Sequence, residues 1–234
     1  MEGLGNRTQE RITFLNVING KIARKATKDE QGAVSRINKN QMEVWEMFFD
    51  SFTGRIVKGE VIINEKMENQ KEIHLTLMAG IDKFKLQVPL EGKFGNTLAV
   101  RLRDIKGGQY VKLEPYSFDD PNGPDRTGKT RRISGMNVFV GNSTNNMEKV
   151  IVNKDNAPSD MPKFPESKNY KDEDEYRIDV DTWKSKMRVW YSKFAKAELE
   201  RINSEVEKLT AVKPKPTKED YSISADITET DLPF

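Results

Sequence analysis

Glu72-Ile73-His74-Leu75-Thr76-Leu77-Met78-Ala79-Gly80-Ile81-Asp82-Lys83-Phe84-Lys85-Leu86-Gln87-Val88 alternates apolar and polar residues on either side of a short break at Ala79 to Ile81. Ile73, Leu75 and Leu77 fall on one face, with His74 and Thr76 on the other. Phe84, Leu86 and Val88 point inward, leaving Lys83, Lys85 and Gln87 outward. Side chains on a strand alternate between faces, so this period of two predicts paired half-buried strands rather than a helix. The pattern extends in both directions. Ile12–Ile18 runs through Asn19-Gly20, a hairpin dipeptide, into Lys21–Ala26. Val44–Phe49 and Arg55–Ile63 follow. Thr97–Arg103 sets Leu98, Val100 and Leu102 against Arg101 and Arg103. Gly107-Gly108 turns into Gln109–Leu113, and Ile133–Val140 follows a Pro/Gly/Asp loop from Asp119 to Lys129. About eight short strands with Gly, Asn and Asp breaks predict a small barrel or sandwich, with residues 8–152 as one β-domain.

Composition changes after Val152. Pro158, Pro162 and Pro165 mark residues 153–180 as an extended acidic linker. Apolar residues then recur at threes and fours through Trp183, Met187, Trp190, Tyr191, Phe194, Leu199, Ile202, Val206 and Leu209, which predicts an amphipathic helix over 181–211 with Asp181 as its N-cap. Lys213-Pro214-Lys215-Pro216 stops it. Residues 212–234 are polar and acidic without periodicity, and are expected to be disordered. No internal repeat is present.

Lys plus Arg number 39 and Asp plus Glu 37, a net of +2 over 234 residues with a mean hydropathy of −0.74. That total is a cancellation. Residues 1–154 carry +6, 155–181 carry −5, 182–217 carry +5 and 218–234 carry −4. Blocks of opposite sign with an acidic end point to nucleic-acid interaction with a tail. The absence of cysteine excludes disulfides, thiolate metal clusters and cysteine nucleophiles, and a single histidine excludes His-rich zinc sites. Neither a metal nor a cofactor is expected, and no nucleophile–base pair suggests an enzyme. Apolar runs such as Val61-Ile62-Ile63 are far too short to span a bilayer, and the N-terminus lacks a signal-peptide layout, so a cytoplasmic chain without membrane contact is expected.

The chemistry-bearing residues are the outward ones. Lys83, Lys85, Arg101, Arg103, Tyr110 and Lys112 alternate against apolar partners, and Arg131 and Arg132 flank the loop. Cations along a phosphate track beside aromatic faces on which bases stack are what a single-strand binder needs. Trp45, in a cluster with Phe48, Phe49 and Phe52, is a further stacking candidate, although one face of its strand must be core. The aromatics of the helix read as a packing stripe. Its cations Lys184, Lys186, Arg188, Lys193 and Lys196 extend the positive path. Gly123-Pro124-Asp125-Arg126-Thr127-Gly128-Lys129-Thr130 matches the phosphate-loop spacing, but that chemistry needs a buried strand before it and a helix after it. The residues around it read as an acidic turn and a strand, so a mobile basic loop is the stronger reading and a P-loop nucleotide hydrolase the alternative. An RNA-binding or scaffolding β-domain is a second alternative.

The last nine residues are Asp226-Ile227-Thr228-Glu229-Thr230-Asp231-Leu232-Pro233-Phe234. This acidic segment, ending in Asp-Leu-Pro-Phe, resembles the tail of bacterial-type single-stranded DNA-binding proteins, which ends in an acidic run and Asp-Ile-Pro-Phe. Thr228 and Thr230 interrupt the acids, and the long helix departs from the usual layout and looks more like a divergent bacteriophage member, acting in the host cytoplasm. The resemblance implies an OB-fold, a small Greek-key barrel, that coats and protects single-stranded DNA. It also implies that Asp226, Glu229, Asp231, Leu232, Pro233 and Phe234 recruit replication or recombination enzymes. A terminal Phe offers a ring and a carboxylate at once, and the acids steer it to a basic rim. Homo-oligomerisation through the helix is a further expectation.

Overall fold

A computed structural model describes residues 11–38, 40–65, 69–124, 128–153, 156–166, 169–170 and 172–211. Among them the chain is mainly β, in the order β1 (Ile12–Ile18), β2 (Lys21–Lys25), β3 (Val34–Ile37), β4 (Glu43–Phe49), β5 (Phe52–Asn64), β6 (Gln70–Ala79), β7 (Asp82–Pro89), α1 (Lys93–Arg101), a 3-10 turn (Leu102–Asp104), β8 (Tyr110–Asp119), β9 (Arg132–Ser143), β10 (Asn146–Lys149) and α2 (Glu173–Ala211). The strands form one sheet in the order β10-β9-β8-β5-β6-β7-β1-β2-β4-β3. All neighbours are antiparallel except β1 and β7, which run parallel.

Three consecutive strands, β5, β6 and β7, are antiparallel neighbours, and the chain then returns through α1 to lay β8 beside β5. β5 serves two partners. Phe52–Arg55 pairs with β8 and Arg55–Asn64 with β6, and a bulge between Ile56 and Lys58 bends the strand where it changes partner. The sheet curls so far that the β1–β2 turn reaches β8. Asn19 (φ 50) and Gly20 (φ 78) make that turn, and a Cβ on Gly20 would lie 2.5 Å from the Ser117 nitrogen. Inward residues of the curl, including Leu15, Ile22, Ile56, Ile73, Leu75, Leu77, Leu86, Val111, Leu113 and Val138, form one buried core with Leu98 and Leu102 of the α1 region and Leu199 and Ile202 of α2.

Two expectations change. Thr97–Arg103 is not a strand: it lies in α1 and the 3-10 turn. Leu98, Ala99, Leu102 and Ile105 are all fully buried, and their spacing is that of a helical stripe, which over so few residues coincides with alternation at Leu98, Val100 and Leu102. The second change is at α2, which starts at Glu173, so Asp181 sits within it and residues 173–180 of the expected linker are helical. Glu173, Asp174 and Glu175 fill its first turn, where they favour the positive end of the helix dipole. Nor does the Pro-containing segment hang free. The Trp183 indole donates to the Pro162 carbonyl at 3.0 Å, the Trp190 indole donates to the Asp160 carboxylate at 3.0 Å, and Phe164 meets Trp183 edge-on at 4.8 Å. The aromatic stripe is a packing surface, as its spacing indicates, and the chain's own preceding segment covers part of it.

The C-terminal half of α2 closes the open edge of β5. Beyond Arg55 no strand among the described residues flanks β5 on the β8 side. There the Asn203 side-chain amide donates to the Gly59 carbonyl and accepts from the Gly59 N–H, both at 2.8 Å, as a neighbouring strand would. A Cβ on Gly59 would collide with Leu199, so glycine permits the close approach. Arg201 donates to the carbonyls of Leu102, Arg103 and Ile105 at 3.1, 3.1 and 2.8 Å and pairs with Glu198 and Glu205 at 2.8 and 2.7 Å. Glu205 in turn accepts from the Gly107 N–H at 2.6 Å; that bond, with Arg201 beside it, holds its carboxyl below the usual carboxylate range.

Candidate nucleic-acid interface

Strand register places outward side chains in rows across the convex face. One row runs Tyr110 (β8), Arg55 (β5), Met78 (β6), Lys83 (β7), Ile12 (β1). The next runs Lys58 (β5), Thr76 (β6), Lys85 (β7), Phe14 (β1). Neighbouring strands lie about 4.8 Å apart, so four steps carry the first row roughly 19 Å across the sheet. Both rows combine cations with apolar or aromatic groups. Phe14 is 53% exposed, far more than a packed ring, and its register partner is Lys85.

The aromatic end of the face is already paired with cations. The Arg55 guanidinium lies over the Tyr110 ring at 5.1 Å. Lys112 and Lys149 approach the Phe139 ring at 5.2 and 6.0 Å, Phe139 being the β9 partner of Lys112. Such contacts hold ring and charge where a base and its phosphate could engage both. Glu60 lies among the cations, 2.9 Å from Lys85 and 3.2 Å from Lys58. The hydrogen bond from Lys85, helped by Lys58, outweighs burial and keeps the Glu60 carboxyl below its ordinary range. A phosphate arriving here therefore competes with a standing carboxylate.

Of the residues singled out in the sequence, Lys83, Lys85, Tyr110 and Lys112 share this face. Arg131 and Arg132 are exposed at the β9 end of the β8–β9 hairpin, facing Asp120 at 3.8 Å and Asp119 at 3.6 Å. Arg101 and Arg103 are elsewhere. Arg101 is on α1 with its guanidinium donating to the Thr97 carbonyl at 2.8 Å, and burial pulls its pKa down. Arg103 donates to the Asn156 carbonyl at 2.6 Å and so ties down the chain after β10. Trp45 is half-buried on the opposite face from the rows. It shares that face with Phe49, whose register partner is the fully buried Ile22. Arg55, Lys58, Phe14, Phe139 and Lys149 join the face without having been singled out. Phe14 was readable, since alternation in Ile12–Ile18 separates it from Leu15 and Val17. Asp226, Glu229, Asp231, Leu232, Pro233 and Phe234 lie outside the described residues.

Gly123 to Thr130 connects β8 to β9, two antiparallel strands laddered as far as Asp119 and Arg132, and the chain continues into β9 rather than into a helix. A phosphate cradle draws on the N–H groups of a helix start, whereas the element that follows this connection is strand β9. His74 is buried on β6 with its Nε2 2.8 Å from a Glu72 oxygen. No group of three or more His, Asp or Glu side chains poised for a metal is found among the described residues, and no described helix is long and apolar enough to cross a membrane. In comparisons with known proteins, no family model, no curated protein and no solved structure matches this chain.

Proposed function

We propose that this protein binds single-stranded DNA without catalysis, on the convex face of an OB-like barrel. The observation that carries the reading is the pair of registered rows, in which Arg55, Lys58, Lys83 and Lys85 alternate with Tyr110 and Phe14. Cations supply the salt-sensitive part of the affinity, and exposed rings supply roughly 1–3 kcal/mol per stacked base without reading sequence. The spatial order β8-β5-β6-β7 supports the barrel assignment: it is the Greek-key order in which a fourth strand returns beside the first. In OB-folds the face of the second and third strands and the loops after the first and fourth bind oligonucleotides. By that correspondence β6 and β7 are the binding strands, and the β8–β9 connection, with Arg131 and Arg132 at its end, is a flanking loop.

The test is binding of poly-dT, poly-U and duplex DNA across a salt series. Preference for the single strand is expected, with the logarithm of affinity falling by about 0.7 per phosphate contact for each tenfold rise in salt. Equal affinity for duplex would overturn the reading, and preference for poly-U would move it to RNA. The C-terminal segment is proposed to recruit replication or recombination proteins and to compete with DNA for the same cations. Deleting residues 226–234 should then tighten DNA binding at low salt and change little at high salt. Unchanged affinity at both would sink the competition.

A further inference from the structure

The convex face does not stay basic along the strands. One register step beyond Lys58, Thr76, Lys85 and Phe14, the row is Glu60, His74, Gln87, Asn16, and beyond it Ile62 pairs with Glu72. Of these, His74, Gln87, Ile62 and Glu72 line a cavity of about 300 Å³ together with Ile63, Asn64 and Glu65. That is the low end for a small-ligand site, with an apolar wall and a few converging polar groups.

Its hydrogen bonding is lopsided. Asn64 donates to one Glu72 oxygen at 2.8 Å, and His74 Nε2 lies 2.8 Å from the other. With a carboxylate as partner, Nε2 carries the proton and His74 Nδ1 is left as an acceptor. That atom is buried and makes no hydrogen bond. The Gln87 amide nitrogen stands 3.5 Å from His74 Nε2. The acceptors carried by the residues that line the cavity are the side-chain carbonyl oxygens of Asn64 and Gln87 and the carboxylates of Glu65 and Glu72. Two carboxylates repel a phosphate. They suit a neutral group rich in N–H donors.

We propose that this cavity receives one nucleobase of the bound strand and favours a base whose C4 or C6 carries an amino group, cytosine or adenine, over thymine or uracil, which carry an oxygen there. The inference rests on the single-strand reading above. Same-face positions along a strand are about 7 Å apart, so a backbone held over the two cationic rows lays its bases toward this row. There the amino group of cytosine or adenine donates to Gln87 and to Glu72, whereas the O4 of thymine or uracil presents lone pairs to the same acceptors. A face that otherwise reads only backbone and ring area thereby acquires one position of chemical preference.

The experiment measures affinity of the full-length protein for dC, dA and dT oligonucleotides of equal length, by fluorescence anisotropy at one salt concentration. dC and dA should bind about tenfold more tightly than dT, the low end of what one hydrogen-bonded base edge supplies. Glu72→Gln and Gln87→Leu should each bring the ratio close to one with little change for dT. Thermal melting checks folding, and should Glu72→Gln not fold, Gln87→Leu alone carries the test. Equal wild-type affinities, tighter dT binding, or a preference that survives in Gln87→Leu overturns the cavity assignment and leaves single-strand binding standing. Failure to bind any of the oligonucleotides overturns both.

Discussion

Replacing Arg55, Lys83 and Lys85 together with alanine should lower affinity for single-stranded DNA by roughly 500-fold at 50 mM monovalent salt and roughly 30-fold at 200 mM. It should also flatten the salt dependence by about two units of slope, the values for three lost phosphate contacts on a single strand. The three residues come from β5 and β7. Met78 of β6 lies between Arg55 and Lys83 in the row, and Lys85 flanks Lys83 on the same strand face. Their effect should therefore be collective, and larger than that of any cation elsewhere. Arg103 is the informative control. Sequence alternation puts it on the same face, but its guanidinium is committed to Asp104 and the Asn156 carbonyl. Arg103→Ala should leave the salt slope unchanged. A slope change of about 0.7 for Arg103→Ala, a third of the triple variant's, would mean that net charge, not the registered face, drives binding.

Asn203→Leu should cost about 2–4 kcal/mol of stability. Leucine resembles asparagine in size but makes neither bond to Gly59, which leaves a backbone N–H and C=O facing an apolar helix, at about 1–3 kcal/mol for each unsatisfied group. Denaturant titration followed by tryptophan fluorescence reads the change directly. An exposed substitution on the same helix, Lys196→Ala, should stay within about 0.5 kcal/mol. A shift of the same small size for Asn203→Leu would show that water satisfies Gly59 and that α2 is dispensable to the sheet. The expected result makes α2 part of the β-domain's own fold, so a fragment ending before Glu173 should not be treated as an independent domain.

The strands were legible where pairing is local. Asn19-Gly20 joins β1 to β2 as its dipeptide predicts, and the alternation from Glu72 to Val88 gives β6 and β7 with the correct faces. Helix α1 was not, because nine residues are too few to separate a helical stripe from alternation when Leu98, Val100 and Leu102 satisfy both. The short edge strands β3 and β10 carry only four residues each, too short a run for periodicity to register. At the interface, Lys83, Lys85, Tyr110 and Lys112 were readable as outward residues of single strands. Which residues stand beside them across the sheet was not. Arg55 and Lys58 flank a bulge that breaks the period, and Phe14 meets Lys85 only through the parallel pairing of β1 with β7, for which no local signal exists.

That parallel pairing sets a timetable for synthesis. β1 finds β2 within seconds of leaving the ribosome, but its other edge waits for β7, about 71 residues downstream from Ile12 to Lys83. At about 5–20 residues per second the wait is roughly 4–14 s. During it, Leu15 and Val17 have no sheet to close over them, and the strand edge between Ile12 and Asn16 is open to any other extended chain. The segment that completes the curl in the finished protein is thus the one most in need of shelter while the protein is being made.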